Sequence, residues 1–108
     1  MKILMYGANG WIGNQFFKYL ISKSNAVVYK GNKRVDDFKA VSEEIQNIKP
    51  DSIISFVGRT HGKIGDKVYS TIDYLEQEGK LYENIRDNLY SPISLALLCK
   101  ELNIHLTY

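Results

Sequence analysis

Polar and apolar positions change period several times along this chain, and the changes divide it into elements. Residues 2–6, Lys2-Ile3-Leu4-Met5-Tyr6, make a short apolar run of strand length. From 11 to 23 the period turns helical: Ile12, Phe16 and Leu20 recur on one face, Phe17 and Ile21 widen it, and Ser24-Asn25 closes it. Ala26-Val27-Val28-Tyr29 predicts a second strand punctuated by Gly31-Asn32, and Arg34-Val35 reads as a very short strand or an extended connection. Phe38, Val41, Ile45 and Ile48 give one face of a helix over 38–48, after which Pro50-Asp51 opens a new element. Ser52-Ile53-Ile54-Ser55-Phe56-Val57 is β-branched and apolar, suited to a strand covered on both faces.

The pattern then loosens. Residues 58–80 are polar, carry four glycines and keep no period, which predicts a functional or mobile loop. Between 81 and 102 Ile85, Leu89, Ile93 and Leu97 fall on one helical stripe, broken at Pro92. Either Ser91-Pro92 caps and opens a second helix, or the proline kinks a single one. Ile104 to Tyr108 predicts another strand. Strands alternating with helices imply right-handed crossovers, hence an α/β fold with a Rossmann-type parallel sheet and flanking helices. Ligands of such a sheet bind beyond the carboxyl ends of its strands.

Composition narrows the classes. A chain of 108 residues with 44% apolar content makes one domain with one core. The net charge of +2, without a Lys/Arg stripe, gives no case for nucleic acid as a partner. No apolar run approaches the ~20 residues of a membrane span. The single cysteine, Cys99, excludes an internal disulfide and, on an apolar helical stretch, reads as a buried structural thiol. With the first residues leading straight into a strand, a cytoplasmic location is expected.

Candidate chemistry begins at Gly7-Ala8-Asn9-Gly10-Trp11-Ile12-Gly13, between the first strand and the first helix. Unpaired N–H groups and the positive dipole end of that helix favour an anion. Gly7 permits the turn, Gly10 lets a pyrophosphate approach, and Gly13 lets helix and strand meet closely. The spacing is GxxGxxG; without a following Gly-Lys-Ser/Thr it is not a P-loop. At the end of strand two, Tyr29-Lys30-Gly31-Asn32-Lys33-Arg34 holds three cations and no carboxylate, where an NAD-binding site places an acid against the ribose 2′-hydroxyl. Contacts from Lys33 or Arg34 to a 2′-phosphate favour NADP(H) over NAD(H), the bland alternative being a solvated basic loop. Of Asp36 and Asp37, one is suited to the adenine amino group and the other to capping the next helix. Gly58-Arg59-Thr60-His61-Gly62 follows a strand at the carboxyl edge. It offers Arg59 and Thr60 as ligand-lining groups and His61 as either a proton shuttle or an exposed loop histidine. Tyr19…Lys23 and Tyr29…Lys33 have the Tyr-x-x-x-Lys spacing of a proton-donor pair. The first lies at the far end of its helix and the second has no helical geometry, so both read as coincidences.

These residues together resemble the extended short-chain dehydrogenase/reductases, and within them the bifunctional nucleotide-sugar 3,5-epimerase/4-reductases of UDP- or dTDP-rhamnose synthesis. Tyr6-Gly7-Ala8-Asn9-Gly10-Trp11-Ile12-Gly13 resembles that group's YGxxGWIG loop, and Lys33-Arg34-Val35-Asp36 falls where it keeps an arginine for the cofactor 2′-phosphate. Lys49-Pro50-Asp51 with Gly58 is similar to its KPxxVxxxxG passage, Asp73-Tyr74-Leu75-Glu76 to its DWCE segment, and Asn84-Ile85-Arg86-Asp87-Asn88 to its helix ending in asparagine. Serine and proline at 91 and 92 depart from the family's glycine and threonine.

The resemblance implies NADP(H), 4-keto-6-deoxy nucleotide sugars, epimerisation at C3 and C5, and hydride delivery to the C4 ketone. The family's Ser/Thr, Tyr-x-x-x-Lys pair and substrate-binding region come after the strand ending at Tyr108. Residues 1–108 are therefore expected to be the cofactor-binding half, a fragment with no catalytic residue or metal ligand of its own, inactive alone. Nucleotide sugar would bind only with the C-terminal region, and a homodimer would form through helix 81–102. A dTDP-4-dehydrorhamnose reductase or a nucleotide-sugar 4,6-dehydratase is the rival within this class. A non-catalytic NADP-binding sensor module, with its last strand edge covered by a partner, is the rival outside it.

Overall fold

The computed structural model describes all of residues 1–108. Its centre is a parallel sheet of β1 (Lys2–Tyr6), β2 (Val27–Lys30), β3 (Ser52–Ser55) and, near the C-terminus, His105–Thr107. A separate antiparallel hairpin, β4 (Gly62–Ile64) with β5 (Lys67–Tyr69), makes His105–Thr107 the sixth strand, β6. The sheet order is β2-β1-β3-β6. The chain moves outward from β1 to β2 and then crosses back over β1 to β3, so the strand order reverses between β1 and β3.

Alternation along the strands builds two cores. Leu4, Tyr6 and Ile53 point to the face covered by α2 (Phe38–Ile48) and a late helix over Ser91–Glu101, meeting Val41, Ile45, Leu95, Leu98 and Cys99. Ile3 and Met5 point to the other face, where α1 (Trp11–Lys23) lays Phe16, Phe17 and Leu20 against them. Cys99 is buried, and burial pushes its thiol up to about 11.

Several boundaries shift from expectation. Strand two runs one residue later, and β3 ends at Ser55 although Phe56 still donates its N–H to Tyr6 O at 3.0 Å. Arg34-Val35 is not a strand; Val35 instead drops into the core from the loop. The expected long loop contains the β4–β5 hairpin and a 3₁₀ turn, Ile72–Glu76. Three-residue strands are too short to display a period, which is why the pattern hid them.

Helix 81–102 is one continuous rod: α3 (Leu81–Ile85), a π turn (Arg86–Tyr90) and α4 (Ser91–Glu101). Ser91 is not an N-cap, since Tyr90 and Ser91 both keep helical backbone angles. Proline has no N–H and its ring crowds the preceding turn. The chain absorbs this by widening: Ser91 sends both its N–H and its Oγ to Arg86 O, the latter at 2.8 Å. The stripe Ile85, Leu89, Ile93, Leu97 faces outward, each about half exposed, while Asp87, Ser91, Leu95 and Leu98 face inward.

Candidate functional site

The strand reversal puts the loop after β1 and the loop after β3 side by side at the carboxyl edge. Gly7 opens the first loop with φ +73°, a conformation open to glycine at little cost. A Cβ on Gly13 would stand 2.2 Å from Gly7 O, so the third glycine is what lets α1 start against the loop. Gly10 occupies the cap position of α1; no side chain caps the helix and no acid lies in its first turn. Those N–H groups remain open to an anion.

Beside the loop lies a cleft of about 190 Å³ lined by Gly7, Lys33, Arg34, Asp36, Gly58 and Arg59, with Tyr6, Asp87 and Ser91 at its back. Six of the residues singled out in the sequence thus converge. The others stand apart. Asn9 accepts a 3.4 Å hydrogen bond from Lys30 Nζ, which ties the end of β2 to the glycine loop. Trp11 (82% exposed) and Ile12 point outward with Tyr19 along α1, away from the cleft. Thr60 pairs with exposed His61, Oγ1 to Nδ1 at 3.3 Å, one residue past the lining. A larger groove, about 560 Å³ between α2 and the start of β6, sits at the opposite end of the sheet from the glycine loop.

The cleft wall is an ion-pair network. Asp37 caps α2 by accepting from Ala40 N at 3.1 Å, which leaves Asp36 for the cleft. Arg34 grips Asp36 with Nε at 2.9 Å and a terminal nitrogen at 3.3 Å. Buried Asp87 is the hub: Arg59 Nε donates at 2.6 Å, Arg86 at 2.8 and 3.1 Å, and Arg34 stands 3.7 Å away. Hydrogen bonds from Arg86 and Arg59 hold the Asp87 carboxyl below its ordinary value against the opposing effect of burial. Arg59 and Arg86 are correspondingly raised, chiefly by bonding to Asp87.

Asn88 clamps the loop itself, accepting from Arg59 N at 2.8 Å and donating to Arg59 O at 2.9 Å. Sequence spacing assigned no cleft role to Arg86, Asp87 or Tyr6; only the Asn84–Asn88 and Tyr6–Gly13 runs, through their resemblance, marked these segments. Three arginines against two aspartates leave the network one positive charge in excess, and Lys33 on the lining adds another. With the uncapped helix end, that donor set fits a phosphorylated ligand.

Comparison with known proteins follows the same lines. No family model matches the chain. A crystal structure of a UDP-rhamnose synthase from Acanthamoeba polyphaga mimivirus superposes with TM-score 0.92 at 53% identity, over 100% of this chain and 36% of that one. The chain is thus similar over its whole length to a rhamnose-synthesis enzyme. Another relative is a trifunctional UDP-glucose 4,6-dehydratase/UDP-4-keto-6-deoxy-D-glucose 3,5-epimerase/UDP-4-keto-L-rhamnose-reductase of Arabidopsis thaliana. It is 31% identical over 101 residues, 94% of this chain and 14% of its own length. A dTDP-4-dehydrorhamnose reductase from Bacillus anthracis, in complex with NADP, shares the fold with TM-score 0.73 at 20% identity, over 99% of this chain and 35% of that one. The chain thus spans about a third of the viral protein and a smaller share of the plant one.

Proposed function

We propose that residues 1–108 form the NADP(H)-binding part of a nucleotide-sugar 3,5-epimerase/4-reductase that makes UDP- or dTDP-rhamnose from the 4-keto-6-deoxy intermediate. The observation that carries this reading is the guanidinium-walled cleft at the strand reversal, in a chain 53% identical over its whole length to a UDP-rhamnose synthase. Gly7, Gly10 and the first turn of α1 would hold the pyrophosphate; Lys33 and Arg34 would meet the 2′-phosphate; Gly58, Arg59 and Thr60 would flank the far ribose. The bound cofactor supplies the hydride. The chain's own residues bind and orient it.

Parallel calorimetric titrations with NADPH and NADH test this. NADPH is expected to bind more tightly, and Arg34→Ala to weaken NADPH by roughly tenfold or more while leaving NADH nearly unchanged, the size of one charge-assisted contact. Binding of neither cofactor, or tighter NADH, overturns the reading. Tyr19 and Lys23 lie on α1 outside the cleft lining, and Tyr29 and Lys33 straddle the end of β2. No proton-donor pair therefore faces a substrate in these residues, and NADPH mixed with a 4-keto-6-deoxy sugar nucleotide should not be oxidised by this chain alone.

The outward stripe of α3 and α4 is proposed as the surface that pairs two copies. It presents the same apolar ridge to a second copy, as an isologous interface requires.

A further inference from the structure

Arg86 enters none of the roles above except as a partner of Asp87. It stands on the π turn, a quarter exposed, with its guanidinium over the Tyr82 ring at 5.7 Å. Besides binding Asp87, its Nε lies 3.7 Å from Asp36 Oδ2. Arg34 holds the same Asp36 carboxylate from the β2–α2 loop, through both oxygens. Asp36 is therefore bracketed by two guanidiniums from elements distant in sequence.

A carboxylate near the end of β2 is the group that accepts a ribose 2′-hydroxyl and repels a 2′-phosphate. Asp36 is that hazard for a phosphorylated cofactor, because it lines the cleft. Asp37 is occupied at the α2 cap, and Glu44 is turned to Asn32 N at 3.2 Å. Arg34 spends Nε and one terminal nitrogen on Asp36 and keeps its remaining N–H donors for a 2′-phosphate, so its single positive charge would be shared between a carboxylate and a dianion. Arg86 keeps its Nε–H on Asp87 Oδ1 at 2.8 Å and brings a second positive charge to 3.7 Å from Asp36 Oδ2.

We propose that Arg86 is a specificity-determining residue for the 2′-phosphorylated cofactor, acting as the second counter-ion of Asp36 so that the charge of Arg34 is left for the phosphate. The inference rests on the NADP(H) reading above. With Arg86 present, Lys33, Arg34, Arg59, Arg86, Asp36 and Asp87 together carry +2 before a dianion arrives and are neutral after it. Without Arg86 they go from +1 to −1, a penalty that falls on the phosphate and spares a cofactor with a bare 2′-hydroxyl.

Titrate wild type, Arg86→Gln, Arg86→Lys and the double variant Arg86→Gln/Asp36→Asn with NADPH and NADH at one fixed ionic strength. Arg86→Gln is expected to weaken NADPH roughly tenfold and NADH less than twofold. Removing the exposed carboxylate in the double variant is expected to restore most of the NADPH loss. Arg86→Lys keeps the charge without the planar fork and should lose about threefold, again on NADPH alone; it decides the matter if the glutamine variant does not fold. An equal loss on both cofactors, or an unchanged NADPH-to-NADH ratio, overturns the proposal and leaves Arg86 as a support for Asp87. Wild type that binds neither cofactor, or prefers NADH, marks failure of the cofactor reading itself.

Discussion

Asp87 shows how much one buried carboxylate can organise. Both its oxygens are bonded by guanidiniums, one of which, Arg59, lines the cleft. Asp87→Asn keeps the shape and removes the charge, leaving Arg59 and Arg86 facing a neutral amide. We expect it to destabilise the chain by about 2 kcal/mol at neutral pH. Because the folded carboxyl titrates below its ordinary 3.8, its contribution is complete above that value and disappears as pH falls through the depressed folded value. Urea unfolding of wild type and variant should therefore show a full gap at neutral pH that narrows below about pH 4. A gap constant down to the lowest pH would mean the charge is not what stabilises. Gly13 is the opposite case, a residue whose role is visible in the local spacing alone. Gly13→Ala must push Gly7 O out of a 2.2 Å approach and should cost about 1–3 kcal/mol in thermal or urea unfolding. Gly13 was legible because its partner, Gly7 O, sits six positions away. Asp87 was not, because Arg34 and Arg59 reach it only once β2, β3 and the helical rod are assembled.

Elements with a full period were legible almost to the residue: β1, α1 and α2 have the bounds that the pattern predicts. Two departures occur where local chemistry competes with period. The β4–β5 hairpin is too short to alternate visibly, although Gly65 (φ +58°) followed by Asp66 gives it a glycine-first turn of the II′ kind. At Pro92 the sequence announced a break, but not that one widened turn would replace a cap or a kink. That π turn places Asp87 and Asn88 toward the cleft while Leu89 and Tyr90 remain outside, half exposed. Asn88 imitates a peptide partner for Arg59. Asn88→Ala removes both bonds, and amide exchange at Arg59 should accelerate while the β1–β3 ladder amides hold their protection. Since the pair is solvent-accessible, the expected loss in global stability is about 1 kcal/mol. Unchanged exchange at Arg59 would show that packing alone holds the loop.

For the whole molecule, the decisive feature is where apolar surface remains uncovered. Leu81, Ile85, Leu89, Ile93 and Leu97 recur at every fourth position along the rod, all roughly half or more exposed. On a helix such a row is a continuous ridge. Single exposed apolar residues need no explanation, but a contiguous row marks an interaction surface. The core beneath does not depend on it, since Leu95, Leu98 and Cys99 make the contacts to the sheet. Charge placed on the ridge should therefore abolish pairing without unfolding the chain. Wild type is expected to sediment as a dimer at tens of micromolar. Leu89→Lys combined with Ile93→Lys should sediment as a monomer, with a melting temperature measured at low concentration close to that of wild type. If wild type is monomeric throughout, the ridge is not a self-pairing surface at this length. If the variant stays dimeric, the contact lies elsewhere, with the open edges at β2 and β6 the first places to look.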